Sequence, residues 1–82
     1  RVELIVYPVP ASDVVTLKFD EVLKKGTTIK MIENSGKVLS VNVLSKSTSI
    51  VDIDISELPP GVHTILVKDG VKFARKRIII KR

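Results

Sequence analysis

In "VVTLKF" (residues 14–19), Val15, Leu17 and Phe19 fall on one side while Val14, Thr16 and Lys18 fall on the other. That period of two marks a half-buried β-strand. "TTIKMIE" repeats it with Ile29 and Met31. "KVLSVNVLS" sets Leu39, Val41 and Val43 against Ser40 and Asn42, and "IVDIDIS" sets Val51, Ile53 and Ile55 against Asp52 and Asp54. Helical spacing is nowhere sustained, and valine and isoleucine dominate the apolar set, which suits pleated surfaces better than helices. With "VELIVY", "VHTILV" and the last segment, the pattern predicts seven short strands. Turn residues punctuate them at Ser12-Asp13, Lys25-Gly26, Asn34-Ser35-Gly36, Lys46-Ser47, Pro59-Pro60-Gly61 and Asp69-Gly70. The expected fold is all-β, a seven-stranded antiparallel sandwich.

The irregular stretches carry proline. In "YPVPASD", Pro8 and Pro10 stand two apart, so in an extended strand they would remove two donors from the same edge and shield it from further pairing. In "LPPG", Pro60 presets φ for a turn's second position and Gly61 can supply the positive φ of a type II third position. Leu58, held extended by Pro59, is expected to tuck into the core. At Asp69-Gly70 a three-residue loop is expected, bringing Val67 opposite Val71 and Ile65 opposite Phe73 so that both apolar residues are buried. That register leaves "IIIKR" overhanging the start of its partner strand. Because Ile78, Ile79 and Ile80 are consecutive, at least one must point to each face. Either the last strand pairs with "VELIVY" and closes the sandwich, or it is a docking element for a partner's edge or groove.

Composition sharpens this outline. Eighty-two residues, 44% of them hydrophobic, make one small core, and residues 1–82 are read as one domain. A chain starting at Arg1, with no initiator methionine and no long apolar stretch, reads as a piece of something longer. No cysteine is present to brace it. Charge is uneven: from Lys68 onward, Lys68, Lys72, Arg75, Lys76, Arg77, Lys81 and Arg82 stand against Asp69 alone, so the chain's net +5 is concentrated at this end.

In order and spacing, "YPVPASD", "IENSGK", "ISELPPGVHTILV" and "RKRIIIKR" resemble the type A C-terminal sorting domain of the type IX secretion system of Bacteroidota, from Tyr7 to the last residue. The resemblance implies a seven-stranded immunoglobulin-like domain at the C-terminus of a larger exported protein. It implies transit through the periplasm, reading by outer-membrane translocon components, and delivery of the upstream cargo to the cell surface, outer membrane or medium. A sortase-like protease usually then removes the domain. Pro8, Pro10, Gly36, Lys37, Leu58, Pro59, Gly61, Lys76, Ile78, Ile80 and Lys81 match the family's recurring positions, and Pro60 and Gly70 complete the turn framework. Val9 stands where asparagine is usual, and His63 where tyrosine is usual. The expected recognition element is Lys76, Arg77, Ile78, Ile79, Ile80, Lys81 and Arg82.

The inventory of reactive groups points away from an enzyme, and no cofactor is expected. His63 is the single histidine and sits in a strand pattern, as a core histidine does, with no second histidine or cysteine to complete a metal site. Asp52 and Asp54 share a strand face and could hold a cation, but such a pair is more often a solvated face. The serines lack an accompanying base. "ENSGK" lacks the glycine spacing of a phosphate loop and reads as a hairpin turn. Nucleic acid is disfavoured because Tyr7, Phe19 and Phe73 are the only aromatics. The rival reading is an immunoglobulin-like adhesion or carbohydrate-binding module, which would ordinarily show aromatic residues in its loops. Open edge strands could also pair two copies of the isolated domain.

Overall fold

A computed structural model describes residues 4–82. The chain forms eight strands among these residues: β1 (Leu4–Tyr7), β2 (Val14–Phe19), β3 (Thr28–Glu33), β4 (Val38–Leu39), β5 (Asn42–Lys46), β6 (Ile50–Asp54), β7 (Gly61–Asp69) and β8 (Lys72–Ile80). They make two antiparallel sheets of four, in the orders β1-β2-β6-β5 and β4-β3-β7-β8.

Both sheets contribute to one core. Val15, Leu17 and Phe19 of β2 and Val51 and Ile53 of β6 come from the first sheet. Met31, Ile65, Val67, Ile78 and Ile80 come from the second. The alternation read from the sequence therefore decides which side of β2 and β6 is buried, but not of β5, every residue of which is exposed, Val43 included. Ile55, just past β6, is fully buried as well.

The described residues form eight strands in place of the seven expected. "KVLSVNVLS" is not one strand: the chain leaves the second sheet after Leu39 and enters the first at Asn42. Leu39 and Val41 still half-bury against the shared core, so the alternation runs on across the break.

The β7–β8 hairpin also differs from expectation. Asp69 faces Lys72, Val67 faces Ala74 and Ile65 faces Lys76, so the loop is the two residues Gly70-Val71. Gly70, at φ +63°, holds the first central position, where type II′ turns place glycine. Val71 is 95% exposed and Phe73 56% exposed. Burial at the far end of the hairpin outweighs theirs: this register sets Ile78 opposite His63 and Ile80 opposite Gly61, and both isoleucines are buried. As a result "III" does not overhang. β8 pairs with β7 through Ile80, and only Lys81 and Arg82 extend past it. Ile79 points outward between its two buried neighbours, the split between faces that three consecutive isoleucines require.

Pro8 and Pro10 lie beyond the end of β1 and do not blunt its edge from within. They carry the chain toward β8. There Ala11, buried, forms a parallel bridge with Ile80, its N–H donating to the Ile79 carbonyl at 2.8 Å and its carbonyl accepting from the Lys81 N–H at 2.9 Å. β1 itself pairs with β2, so closure by "VELIVY" is replaced by this contact from Ala11; Val2 and Glu3 of that stretch lie outside the described residues.

Candidate functional site

The segments singled out in the sequence are far apart along the chain, and the topology gathers most of them at one end of the molecule. Antiparallel pairing of β3 with β7 places Glu33 opposite His63, so the Asn34–Lys37 turn lies beside the start of β7. Within that turn the Gly36 N–H donates to the Glu33 carbonyl and the Glu33 N–H donates to the Lys37 carbonyl, both at 2.8 Å. The "ENSGK" reading as a hairpin turn is correct: it joins β3 to β4.

The "LPPG" corner reaches the same end. Leu58 packs half-buried against the core as expected, its N–H donating to the Ile55 carbonyl at 3.0 Å. Gly61 has the anticipated positive φ, but at +130° rather than the type II value near +80°. It is already the first residue of β7, opposite Ile80. Between the corner and the β3–β4 turn runs a groove of about 310 Å³ lined by Glu33, Asn34, Ser35, Pro59, Pro60 and His63.

His63 helps to hold the corner. Its ring is buried, and Nε2 lies 2.8 Å from the Pro59 carbonyl. A carbonyl can only accept, so Nε2 carries the hydrogen that makes this bond, and Nδ1 is the ring's other polar atom. That atom is buried without a partner among the described residues. The histidine is therefore a core side chain with one structural bond.

The chain end closes the cluster. The Arg82 guanidinium donates to the carbonyls of Leu58 and Ile55, tying the last residue to the turn before the corner. Ala11 secures Ile79 and Lys81 from the other side. Of the expected recognition residues, Ile78 and Ile80 are core, whereas Lys76, Arg77, Ile79, Lys81 and Arg82 are exposed. Gly70 lies at the opposite end, in the β7–β8 loop. Sequence reading passed over Ala11: a small apolar residue after two prolines gives little sign that it will bridge to a strand nearly seventy positions away.

Asp52 and Asp54 belong to a different face. Asp52 accepts from Thr16 Oγ1 at 2.6 Å and from Ser45 Oγ at 3.0 Å, linking β2, β6 and β5. Asp54 accepts the Ser56 N–H at 2.9 Å. Its carboxyl is held below the usual range by the Ser56 hydroxyl first and the Ser56 N–H second, with the Asn42 side chain adding a little and desolvation opposing. Both carboxylates thus have protein donors, the arrangement of a sheet-stabilising network. No group of three or more potential metal ligands occurs among the described residues.

No curated protein matches the chain. The family model described as the secretion system C-terminal sorting domain matches residues 5–81. That span takes in the segments gathered at this end, from the proline pair to Lys81, and nearly the whole of both sheets: the chain belongs to the family of C-terminal sorting domains that direct type IX secretion.

Proposed function

We propose that residues 1–82 act, without catalysis, as the C-terminal sorting domain of a larger exported protein, and that the translocon reads them folded, at the end where the motif segments meet. Membership of the family makes the domain a secretion signal for cargo attached upstream, bound for the cell surface or the medium. The observation that carries the finer reading is the convergence of four separated segments on one end: the Pro8–Ala11 stretch, the Asn34–Lys37 turn, the Leu58–Gly61 corner and the end of β8. At this end Ile79, Lys81 and Arg82 form the exposed part of the label, Arg77 and Lys76 continue it toward the middle of β8, and Ile78 and Ile80 are the anchors beneath that fix its shape. Transit through the periplasm and removal by a sortase-like protease complete the route. The strand orders β1-β2-β6-β5 and β4-β3-β7-β8 support an immunoglobulin-like topology with one added short strand, β4, beside the usual three of its sheet.

The test is export of a reporter fused ahead of the domain. Ile79→Glu with Lys81→Glu alters only exposed side chains, so the domain should stay folded while the reporter is retained in the periplasm. Lys24→Glu with Lys25→Glu, a charge reversal elsewhere on the surface, should pass normally. Surface display of a folded Ile79→Glu/Lys81→Glu fusion at the wild-type level would refute the site.

A further inference from the structure

We infer that the outer edge of β8, from Phe73 to Arg77, is a receptor for an extended acidic segment of another protein, which adds to the sheet as a further strand. The inference rests on the sorting reading, since it supplies the chemistry of a partner that such a signal requires.

The backbone is the first ground. Asp69 and Lys72 close a two-residue loop, so they form a hydrogen-bonded pair, and such pairs recur at every second position along the ladder. Residues 73, 75, 77 and 79 therefore turn their N–H and C=O groups away from β7. Ala11 takes the Ile79 carbonyl, and the Lys81 N–H beyond it obeys the same alternation. Among the described residues no strand pairs with Phe73, Arg75 or Arg77 on that side. About 14 Å of edge is open, enough for a segment of five or so residues.

The second ground is charge. The residues with outward backbone groups also send their side chains to the outer face: exposed Phe73, Arg75, Arg77 and Ile79, with the Arg75 guanidinium 5.6 Å from the centre of the Phe73 ring. Lys72 and Lys76 are exposed along the same strand, and no aspartate or glutamate occurs from Lys72 to Ile80. Lysine and arginine on an edge commonly repel unwanted strands. Here they also set a preference, because a carboxylate opposite Arg75 or Arg77 is favourable and a like charge is not. A second copy of this chain does not fit. The other edge strands, β1, β4 and β5, carry no acidic residue, and β8 against β8 would align arginines and lysines.

The experiment adds a capped peptide of about nine residues, alternating Glu and Thr, to the folded domain and follows amide hydrogen exchange residue by residue. Exchange at Phe73, Arg75 and Arg77 should slow by about tenfold or more, with no change at β5. The Lys/Thr peptide should do nothing. Arg75→Glu with Arg77→Glu should reverse the preference, and if that pair fails to fold, Arg75→Gln with Arg77→Gln should abolish it. Equal protection by both peptides, or none by the acidic one, overturns the inference. So does protection that appears on concentrating the protein alone or on adding anionic vesicles without peptide. Retention of the Ile79→Glu/Lys81→Glu fusion with no peptide effect would sink this inference alone, and a peptide effect with normal export of that fusion would sink the sorting site alone.

Discussion

Gly61 lies directly opposite Ile80 in the β7–β8 ladder, so the first residue of one strand and the last residue of its neighbour share a register position. β8 is therefore held in the sheet through its last residue. Ile78 is as fully buried as the core residues of the central strands, and Ile80 is only 2% exposed.

Truncation follows from that burial. Ile78→Ala or Ile80→Ala should each cost about 2–5 kcal/mol, against a total of about 4–12 kcal/mol for a chain of this length. Deleting Ile78–Arg82 removes both anchors and should leave no cooperative urea transition. Had "IIIKR" overhung its partner strand as expected from the sequence, the same deletion would have spared the core. Ile79→Thr, at an exposed position, should stay within about 0.5 kcal/mol of wild type. A folded five-residue deletion would show that the anchors are dispensable.

Gly61 offers a backbone test. A Cβ there would meet nothing within 4 Å, so steric contact is not the obstacle; φ at +130° is. Gly61→Val should cost about 1–3 kcal/mol through that strain, read as a lowered urea midpoint at unchanged m-value. An unaltered midpoint would mean that the corner relaxes to negative φ without loss.

The alternation at Val15, Leu17 and Phe19, and again at Val51, Ile53 and Ile55, was legible because each strand has one wet face and one dry one. The crossing at Ser40-Val41 was not. No glycine or proline marks it, and Leu39 and Val41 approach the same core from either side of the break. The hairpin register was misread for a related reason: counting the apolar residues nearest the loop favours burying Val71 and Phe73, while the decisive pair, Ile78 and Ile80, lies at the far end. The motif segments could be picked out singly. Their convergence depends on which strands pair, and local pattern does not encode that.

His63 separates the effect of a hydrogen bond from that of buried volume. His63→Phe removes the bond to the Pro59 carbonyl and the partnerless Nδ1 together, and these offset, so stability should stay within about 1 kcal/mol of wild type. His63→Ala leaves a cavity and should cost about 2 kcal/mol or more. Equal losses in denaturant would mean that the bond to Pro59 outweighs the packing.

Asp54 makes stability depend on pH in a direction that can be worked out. Hydrogen bonds from Ser56 favour the ionised carboxylate, so its folded pKa lies below the ordinary value. A depressed pKa contributes stability that is fully present above the unfolded value, about 3.9, and is lost as pH falls through the lower folded value. Asp54→Ala should therefore melt below wild type at neutral pH, and the gap should narrow as the pH drops below about 4. Thermal melts from neutral to strongly acidic pH would read this directly. A gap that stays constant across the range would assign the loss to packing or strand propensity at β6, and the carboxylate would have no part in it.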